Sequence, residues 1–331
     1  MSISVIGAGS WGTAVAWLLG SKGLDVCIWA REPEIADGIN RDHHNPVYLP
    51  EVDLPLTVRA THDIAEALAG STAVVMVTPS VGVRAVAEQM APHLAPETPV
   101  VILSKGVEAH TSMLMTDIIA EVFGNPDRIA ALSGPNHAEE VSRGIPSATV
   151  VASASEHTAA FFQDLFSTSF FRVYTNDDVI GVELCGAGKN VVAIASGMVD
   201  GLGFGDNTKA SLMTRGLAEM ARLGEVLGAN PRTYMGLAGM GDLVVTCTSK
   251  HSRNRSLGEH IARGGSMAEW EARTKMVAEG AVACRSIREL AHARGVDMPL
   301  TEKVYEILYE GHPATEAVSD LMERPTKTEI G

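Results

Sequence analysis

Residues 3–23, ISVIGAGSWGTAVAWLLGSKG, decide the fold of this chain. A short apolar run, Ile3–Ile6, leads into a turn with the spacing G-x-G-x-x-G, and an apolar helix follows. Gly7 permits a tight turn, Gly9 lets a pyrophosphate approach the backbone, and Gly12 permits close packing of helix on strand. The helix N-terminus adds N–H donors and a positive dipole. The stretch therefore predicts a dinucleotide-binding unit, the alternative being a glycine-rich turn without a ligand.

Strand-like and helical segments alternate through the rest of the first half. The predicted strands are Asp25–Ala30, Val74–Thr78, Val100–Ser104, Ile129–Ser133, Ala148–Ala152 and Phe170–Tyr174, and the predicted helices are Val81–Met90, Thr111–Phe123 and Glu156–Phe166. Residues 41–55 are predicted to form an irregular loop. Strands that are apolar throughout and separated by helices indicate a sheet covered on both faces. The pattern predicts an α/β, Rossmann-like domain with a mostly parallel, doubly wound sheet.

The pattern changes near Asn176, and strand-like runs almost vanish beyond it. The predicted helices there are Ile180–Met198, Lys209–Leu227, Ser256–Gly264, Ala281–Ala293 and Leu300–Glu310. A length of 331 residues also agrees with about two domains. We therefore expect a dinucleotide-binding domain over residues 1–176 and an all-helical domain over residues 177–331.

Composition and charge narrow the class of protein. Hydrophobic residues make up 46% of the chain and charged residues 20%, which is typical of a soluble globular protein. The formal net charge of −14 argues against broad nucleic-acid or anionic-membrane binding, because both need a positive surface. We therefore expect no nucleic-acid partner, although a local cationic pocket for a small phosphate is compatible with this charge.

Targeting and redox signals are sparse. The uninterrupted apolar runs, such as Val74–Val77, are far shorter than the roughly 18–20 residues of a membrane-spanning helix. The N-terminus begins with a strand pattern and has no basic signal-peptide region. The four cysteines lie far apart, and His43-His44 has no partner at metal-ligand spacing, so neither a disulfide framework nor a metal site is expected. These observations predict a cytoplasmic protein without membrane insertion.

The second predicted strand runs into Ala30-Arg31-Glu32. An acidic residue at this point is typical of NAD-selective sites, where it binds the ribose 2′-hydroxyl. Arg31 comes first here and suits the 2′-phosphate of NADP, whereas Glu32 is compatible with NAD. A solvated surface arginine is the alternative.

Two further strands are followed by polar residues. Lys105 directly follows one, and ligands of open α/β sheets bind at the carboxyl ends of the strands. Gly134 and Asn136 follow another, and they offer backbone and amide groups to a ligand at the same edge. The alternatives are structural: a lysine at a strand end, and a Gly-Pro turn that caps a helix. We assign His137 a structural role.

Lys189 is the most informative single residue. Its neighbours on one face of a largely apolar helix are all small: Cys185, Gly186, Ala193, Ser196 and Gly197. A lysine on such a face is desolvated unless it is paired, and its pKa then falls towards a range useful for acid–base catalysis. The alternative is a buried salt-bridge lysine. Asn190 beside it is a candidate hydrogen-bond partner for a substrate.

Polar groups over residues 239–255 complete the set of candidates. Asp242 lies in a glycine-rich turn and is a candidate partner for Lys189, with a helix N-cap as the alternative. The segment 249–255, SKHSRNR, is basic and rich in hydroxyl and amide groups. Arg253 with serine and asparagine donors is typical of phosphate recognition, whereas a solvated charge run is the alternative.

These motifs, in this order and spacing, resemble those of the bacterial NAD(P)-dependent glycerol-3-phosphate dehydrogenases along nearly the whole chain. The matching segments are GAGSWGTAVA (7–16), INRDHHNPVYLP (39–50), LSKGVE (103–108), LSGPNHAEEV (132–141), GAGKNVVAIASG (186–197), GLAGMGDLVVTC (236–247) and HSRNRSLG (251–258). The resemblance implies reversible reduction of dihydroxyacetone phosphate to sn-glycerol 3-phosphate, a phospholipid precursor, with NADP(H) or NAD(H). It also implies an active site between the two domains and a homodimer.

The same resemblance implies roles for individual residues. Lys189 is the proton donor in reduction and the acceptor in oxidation, and Lys105, Asn190 and Asp242 line the reacting end. The implied substrate-binding residues are Lys105, Gly134, Asn136, Lys189, Asp242, Ser252, Arg253 and Asn254. The implied cofactor-binding residues are Gly7, Gly9, Ser10, Trp11, Gly12, Arg31, Lys105, Ala138, Arg253, Val277 and Glu279.

Two other functions fit a similar domain plan. One is a β-hydroxyacid or 6-phosphogluconate dehydrogenase, which also pairs a Rossmann fold with a lysine-bearing helical domain. The segments 251–258 and 39–50 argue against it. The other is a non-catalytic protein that senses NAD(P), and Lys189 on its small-residue face argues against that.

Overall fold

The computed structural model describes residues 1–274, 278–326 and 328–329. The strands in these residues are β1 Ser2–Ile6, β2 Asp25–Trp29, β3 His44–Asn45, β4 Leu49–Asp53, β5 Val58–Thr61, β6 Ala73–Met76, β7 Val100–Ile102, β8 Ile129–Ser133, β9 Ser147–Ala152 and β10 Phe171–Asn176. The helices of the first half are α1 Ser10–Ser21, α2 Pro33–Asp42, α3 Ile64–Leu68, α4 Val83–Met90, α5 Met115–Phe123, α6 Ala138–Val141 and α7 Glu156–Phe166.

Helices make up the regular structure described after residue 176. They are α8 Val179–Gly201, α9 Asp206–Val226, α10 Asp242–Thr248, α11 Arg253–Ala262, α12 Met267–Arg273, α13 Glu279–Arg294, α14 Pro299–Tyr305 and α15 Ala314–Met322. Two π-helical turns, Leu237–Gly241 and Glu306–Glu310, precede α10 and follow α14. Short 3₁₀ turns lie at Ser80–Gly82, Ala91–His93, Pro126–Arg128 and Pro231–Met235.

Eight of the strands form one sheet in the order β10-β9-β8-β7-β6-β1-β2-β5. Its neighbouring strands are parallel except for β8 and β9, which run antiparallel. Side chains alternate between the two faces along each strand, and both faces are buried: Ile3 and Val5 pack in one apolar cluster and Ile6 in another. Burial on both faces explains why the strands are apolar throughout. The predicted α/β fold with a mostly parallel, doubly wound sheet is confirmed.

The prediction of an irregular loop over residues 41–55 is wrong in part. The segment contains β3 and β4, which pair antiparallel as a separate two-stranded sheet. Asn45 is fully buried, and its amide nitrogen donates to the Ala8 carbonyl at 2.8 Å and to Thr13 Oγ1 at 2.9 Å. The segment is therefore fixed to the glycine-rich turn by a buried amide, which a search for apolar periodicity does not detect.

The predicted helix over Thr111–Phe123 also begins later, at Met115. His110 and Ser112 have φ of 68° and 59°, in the left-handed region, and Val107 pairs with Leu114 as an antiparallel bridge. Residues in the left-handed region do not fit a right-handed helix, so residues 107–114 form a loop, closed by this bridge, before α5.

Helix α8 forms the core of the helical half. Its residues from Gly181 to Val199 are all buried, and α9, α10, α11 and α13 pack around it. By length and composition α8 is long enough to cross a membrane, although Glu183 and Lys189 interrupt its apolar runs. Since 89% of its most apolar window is buried inside the protein, this helix is part of the core.

Two glycines bring α8 and α11 into backbone contact. A Cβ on Gly197 would lie 1.8 Å from the carbonyl oxygen of Arg255, and one on Gly258 would lie 1.9 Å from that of Ile194. Neither position accepts a side chain without separating the helices. The distance between the two helix axes is therefore set by the backbones themselves.

Candidate active site

The glycine-rich turn between β1 and α1 has the shape that a dinucleotide needs. Gly7 has φ of 124°, and a Cβ there would lie 2.8 Å from the Val77 carbonyl oxygen. A Cβ on Gly12 would lie 1.9 Å from the Gly7 carbonyl oxygen, whereas one on Gly9 would meet no atom within 4 Å. Two glycines are thus required by packing, and the third leaves open space at the N-terminus of α1, where a pyrophosphate fits.

The side chains beside this turn differ in their contacts and in their exposure to solvent. Ser10 donates its hydroxyl to the Tyr48 carbonyl at 2.6 Å, and Trp11 packs half-buried against the cluster that contains Leu49. Arg31 lies just beyond β2 with 81% of its side chain exposed, and its guanidinium lies 2.5 Å from the Glu32 carboxylate. A ligand over the turn would therefore meet the N–H groups of α1 and, further out, an exposed ion pair.

Three charged side chains from different elements meet at the junction of the two halves. Lys189 Nζ, on α8, lies 2.6 Å from Asp242 Oδ1, at the start of α10. Lys105 Nζ, just beyond β7, lies 2.7 Å from Asp242 Oδ2. One carboxylate thus bridges two ammonium groups. The three side chains are nearly buried, with exposed fractions of 8%, 3% and 14% for Lys189, Asp242 and Lys105.

Thr246 completes this arrangement and was not predicted. Lys189 Nζ donates to Thr246 Oγ1 at 2.7 Å, and that hydroxyl donates in turn to the Asp242 carbonyl at 2.6 Å. Thr246 lies four residues after Asp242 on α10, so the two share a helix face. That spacing is the signal in the sequence that would have identified it.

Burial and charge set the protonation of the triad Lys189–Asp242–Lys105. Burial lowers the pKa of Lys189 to about 8; Asp242 opposes the shift, and the charge of Lys105 adds to it. Burial alone would raise the pKa of Asp242, but the two ammonium groups outweigh burial and hold that pKa below its usual value. At neutral pH the carboxylate is charged, and Lys189 is close to the point at which it can release its proton.

The small-residue face of α8 lets the sheet half approach Lys189. A Cβ on Gly186 would lie 3.1 Å from Ser133 Oγ and 3.3 Å from Lys105 Cγ. The stem of Lys105 therefore lies against α8 where a larger residue would crowd it. Asn190 follows Lys189 and is 4% exposed, and its side chain makes no hydrogen bond to any described residue.

The turn after β8 lies at the same edge of the sheet. Gly134 has φ of 151°, and a Cβ there would lie 2.9 Å from the Thr149 Cα. Asn136 donates its amide to Thr149 Oγ1 at 3.2 Å, and Ala138 begins α6. Burial, and then the charge of Lys189, lower the pKa of His137. Its Nε2 is buried and has no hydrogen-bond partner among the described residues.

The start of α11 carries the predicted phosphate-binding residues. Ser252 is the N-cap and accepts the Arg255 N–H at 3.2 Å, so the helix begins three residues earlier than predicted. Arg253 is exposed, whereas Asn254 is buried and accepts the Gly280 N–H at 2.9 Å, which ties α11 to α13. Glu279 begins α13, and its charge raises the pKa of Lys189 slightly against burial. Val277 lies outside the described residues.

Three basic residues near this helix start line a cavity of about 160 Å³ together with Trp270: they are Lys250, His251 and Arg253. None of them forms an ion pair with a residue in the described part of the chain. The ring of His251 lies 6.0 Å from that of His137, across the junction. In a protein with net charge −14, the unpaired positive charges of Lys250 and Arg253 at one place favour an anionic ligand there.

Comparison with known proteins assigns the chain to a family. Residues 2–159 match the family described as NAD-dependent glycerol-3-phosphate dehydrogenase N-terminus, and residues 178–319 match the corresponding C-terminus. The glycerol-3-phosphate dehydrogenase, NAD(P)+, of Streptomyces griseus is 51% identical, over 98% of this chain and 97% of that protein. This chain belongs to the glycerol-3-phosphate dehydrogenase family.

Two other members of the glycerol-3-phosphate dehydrogenase family are similar to this chain over nearly its full length. The enzyme of that name from Moorella thermoacetica is 49% identical, over 99% of this chain and 98% of that protein. The crystal structure of glycerol-3-phosphate dehydrogenase from Coxiella burnetii has a TM-score of 0.94 at 39% identity, with 98% of this chain and 99% of that chain covered. The predicted family, the oxidoreductase class and the NAD(P) cofactor are confirmed, and the two alternative functions are not supported.

One cluster of potential metal ligands lies in the helical half, outside the candidate active site. Ligand atoms of Glu306, His312 and Asp320 lie within 4.8 Å of one another. Lys303 Nζ already lies 2.7 Å from Glu306 and 2.8 Å from Asp320, so the two carboxylates share an ammonium group. The absence of a metal site stays a prediction.

Proposed function

We propose that this protein reversibly reduces dihydroxyacetone phosphate to sn-glycerol 3-phosphate and that Lys189 transfers the proton. The observation that carries the proposal is the buried triad, in which Lys189 Nζ lies 2.6 Å from Asp242 and has a pKa lowered to about 8. It is supported by the full-length matches to glycerol-3-phosphate dehydrogenases. The product would serve phospholipid synthesis.

The proposed chemistry divides between cofactor and protein. A bound NAD(P)H supplies the hydride, and the open space over Gly9 with the N-terminus of α1 would hold its pyrophosphate. As hydride arrives at C2 of the substrate, negative charge develops on the carbonyl oxygen. Lys189 stabilises that charge and donates a proton from Nζ, forming the hydroxyl. In the reverse direction, neutral Lys189 accepts the hydroxyl proton.

Asp242 and Lys105 orient and tune Lys189 in this proposal. Asp242 holds the Nζ in place, and Thr246 accepts a second hydrogen bond, which leaves one N–H of the ammonium group for the substrate. Burial lowers the pKa of Lys189, the charge of Lys105 adds to that shift, and Lys105 also brings positive charge beside the developing oxyanion. Asn190, whose amide is unpartnered among the described residues, would bind the substrate next to Lys189.

The phosphate end of the substrate would bind at the start of α11 and the turn after β8. Arg253 can direct two donors to the phosphate oxygens, and Ser252, Asn254, Gly134 and Asn136 would complete the shell. Arg253→Lys should lower kcat/KM about 10–100-fold, because a point charge cannot reproduce the two-donor geometry. Arg263→Lys is the control, since Arg263 directly follows α11 and, within the described residues, forms an ion pair with Glu259 alone. Equal kcat/KM values for the two variants would place the phosphate elsewhere.

The adenosine end of the cofactor would lie beside Arg31, with Ser10, Trp11, Ala138 and Glu279 at other cofactor positions. Arg31 is exposed, so its guanidinium can leave Glu32 and meet a 2′-phosphate. Arg31→Asp should therefore lower kcat/KM with NADPH several-fold more than with NADH, by about tenfold at most for an exposed charge pair. An unchanged NADPH/NADH ratio would make Arg31 a solvated surface residue.

We also propose the domain division at residues 176/177, a homodimer and a cytoplasmic location. The division is supported by the end of the sheet at Asn176 and the start of α8 at Val179. The location is supported by four cysteines that are all buried and unpaired. The homodimer rests on the resemblance, and sedimentation at several concentrations tests it.

One assay tests the proposed reaction. NAD(P)H oxidation is followed with dihydroxyacetone phosphate and with unphosphorylated dihydroxyacetone. We expect the ketone without phosphate to lose kcat as well as affinity, because remote binding energy orients the carbonyl. No turnover with dihydroxyacetone phosphate, or equal turnover with both ketones, would contradict the proposal.

A further inference from the structure

Two buried carboxylates outside the triad share an unusual position. Glu183 is 6% exposed and Glu219 is 3% exposed, and burial raises the pKa of each to about 7. Both accept N–H groups from the first turn of a helix other than their own. A carboxylate there satisfies free donors and interacts favourably with the helix dipole. The two differ in which helices they join.

Glu183 joins the two halves of the protein. It lies on α8, and its carboxylate accepts the Thr116 N–H at 3.1 Å and the Thr116 hydroxyl proton. Thr116 lies in the first turn of α5, which packs against the sheet. Asp117, on the same turn, is a further charge that bears on Glu183. This contact is therefore a buried polar tie between the helical half and the sheet half.

The tie lies at one end of the loop that carries Lys105. That loop leaves β7 after Ile102 and ends where α5 begins, at Met115. Its first residue, Leu103, donates its N–H to the Met76 carbonyl at 2.8 Å, so one end is fixed by the sheet. Glu183 fixes the other end to α8, the helix that also carries Lys189 and the Gly186 surface against the Lys105 stem.

We propose that Glu183 is a positioning residue for the reaction: by capping α5 from α8, it holds the Lys105 loop where Lys105 reaches Asp242. The inference rests on the proposed function, because it assigns Lys105 a part in turnover. A shift of about 1 Å in such a group lowers rates by up to about 100-fold. The tie is thus expected to act on kcat/KM through Lys105 and not through stability alone.

Glu219 provides a matched control within the same chain. It lies on α9 and accepts the Leu300 N–H at 2.7 Å and the Thr301 N–H at 3.3 Å, both on α14. Its contact is also a buried carboxylate on a helix N-terminus, but both helices belong to the helical half. Loss of either carboxylate leaves buried N–H groups unsatisfied, so both losses should lower Tm.

A double-mutant cycle tests the inference. Glu183→Ala and Glu219→Ala are each made alone and with Lys105→Met, and kcat/KM for dihydroxyacetone phosphate is measured with Tm. We expect Glu183→Ala to lower kcat/KM about 10–100-fold when Lys105 is present and less than about 3-fold when it is absent. Glu219→Ala should change kcat/KM by less than about 3-fold in both backgrounds. Additive losses for Glu183→Ala and Lys105→Met would overturn the inference.

Two further variants keep the test decisive. In Glu183→Gln the side-chain oxygen can still accept the Thr116 N–H and the amide can donate to Thr116 Oγ1, so kcat/KM should return to within about 3-fold of wild type. If Glu183→Ala does not fold, Thr116→Val replaces it in the cycle, since it removes only the hydroxyl and keeps the N–H bond. An inactive wild type would refute the proposed function, whereas an active wild type with additive losses refutes only the role of Glu183.

Discussion

Two clusters of lysine and carboxylate groups in this protein have opposite composition. In the triad at the domain junction, two ammonium groups share the carboxylate of Asp242, and all three side chains are nearly buried. At α14 and α15, the single ammonium of Lys303 lies between Glu306 and Asp320, whose side chains are 21% and 41% exposed. The pKa of Lys189 is lowered to about 8, and hydrogen bonds to Asp320 and Glu306 raise the pKa of Lys303.

The difference shows how the same residue types give a reactive site or a structural one. Burial with an excess of positive charge leaves one ammonium poorly compensated, so its proton is held weakly. Partial exposure with an excess of negative charge compensates the ammonium fully, and such surface pairs contribute only about 0–1 kcal/mol to stability. Three measurements on matched variants test whether burial and charge balance set the two clusters apart.

The largest expected effect is that of removing the lysine from each cluster. Lys189→Met keeps the volume but removes the charge and the proton, so kcat should fall about 10²–10⁴-fold while cofactor binding changes little. Lys303→Met should leave kcat near the wild-type value. Steady-state kinetics and cofactor titration measure both. Near-normal turnover in Lys189→Met would refute the role of Lys189 as acid and base.

The next effect is on stability when each carboxylate becomes an amide. Asp242→Asn leaves two buried ammonium groups facing an uncharged side chain, so the free energy of unfolding should fall by about 3–5 kcal/mol. Asp320→Asn should lower it by about 0–1 kcal/mol, because the pair is half-exposed and Glu306 remains. Urea unfolding at pH 7 gives both values. Similar losses in the two variants would mean that burial does not distinguish the clusters.

The smallest effect is a change in slope of the pH profile. Reduction requires protonated Lys189, so kcat/KM should be constant well below pH 8 and decline above its pKa of about 8. Oxidation requires the neutral amine, so its kcat/KM should decline as the pH falls through the same value. In Lys303→Met, both declines of kcat/KM should occur at the same pH as in the wild type. If kcat/KM declined in the same direction of pH for reduction and for oxidation, the titrating group would not be Lys189.

The sequence predicts well what local chemistry determines. The β1–turn–α1 unit follows from three glycines, and the buried position of Lys189 follows from the small residues around it. Features that depend on distant contacts were missed. The antiparallel direction of β9 has no signature in a strand that is apolar on both faces, and the β3–β4 pair depends on the buried amide of Asn45.

The candidate site likewise combines residues that the sequence predicts with contacts that only the tertiary fold reveals. Sequence spacing does not reveal that Asp242 serves both Lys105 and Lys189, because the partners are separated by 137 and 53 residues. Glu183 was overlooked for a similar reason: a glutamate in an apolar helix has no motif, and its partner Thr116 lies 67 residues away. Such contacts are properties of the tertiary fold, whereas Thr246 was within reach of a helical-spacing argument.

The backbone contact of α8 with α11 limits the length of the substrate that the enzyme accepts. Lys189 is carried by α8 and Arg253 by α11, and the backbones of these two helices are in direct contact at Gly197 and Gly258. With Arg253 on the phosphate as proposed, the two helices fix the distance between Lys189 and the phosphate of the substrate. A four-carbon substrate would therefore have to be accommodated by the side chains around its phosphate, so selection for such a substrate should yield changes at Arg253, Ser252 or Asn136 and leave both glycines untouched.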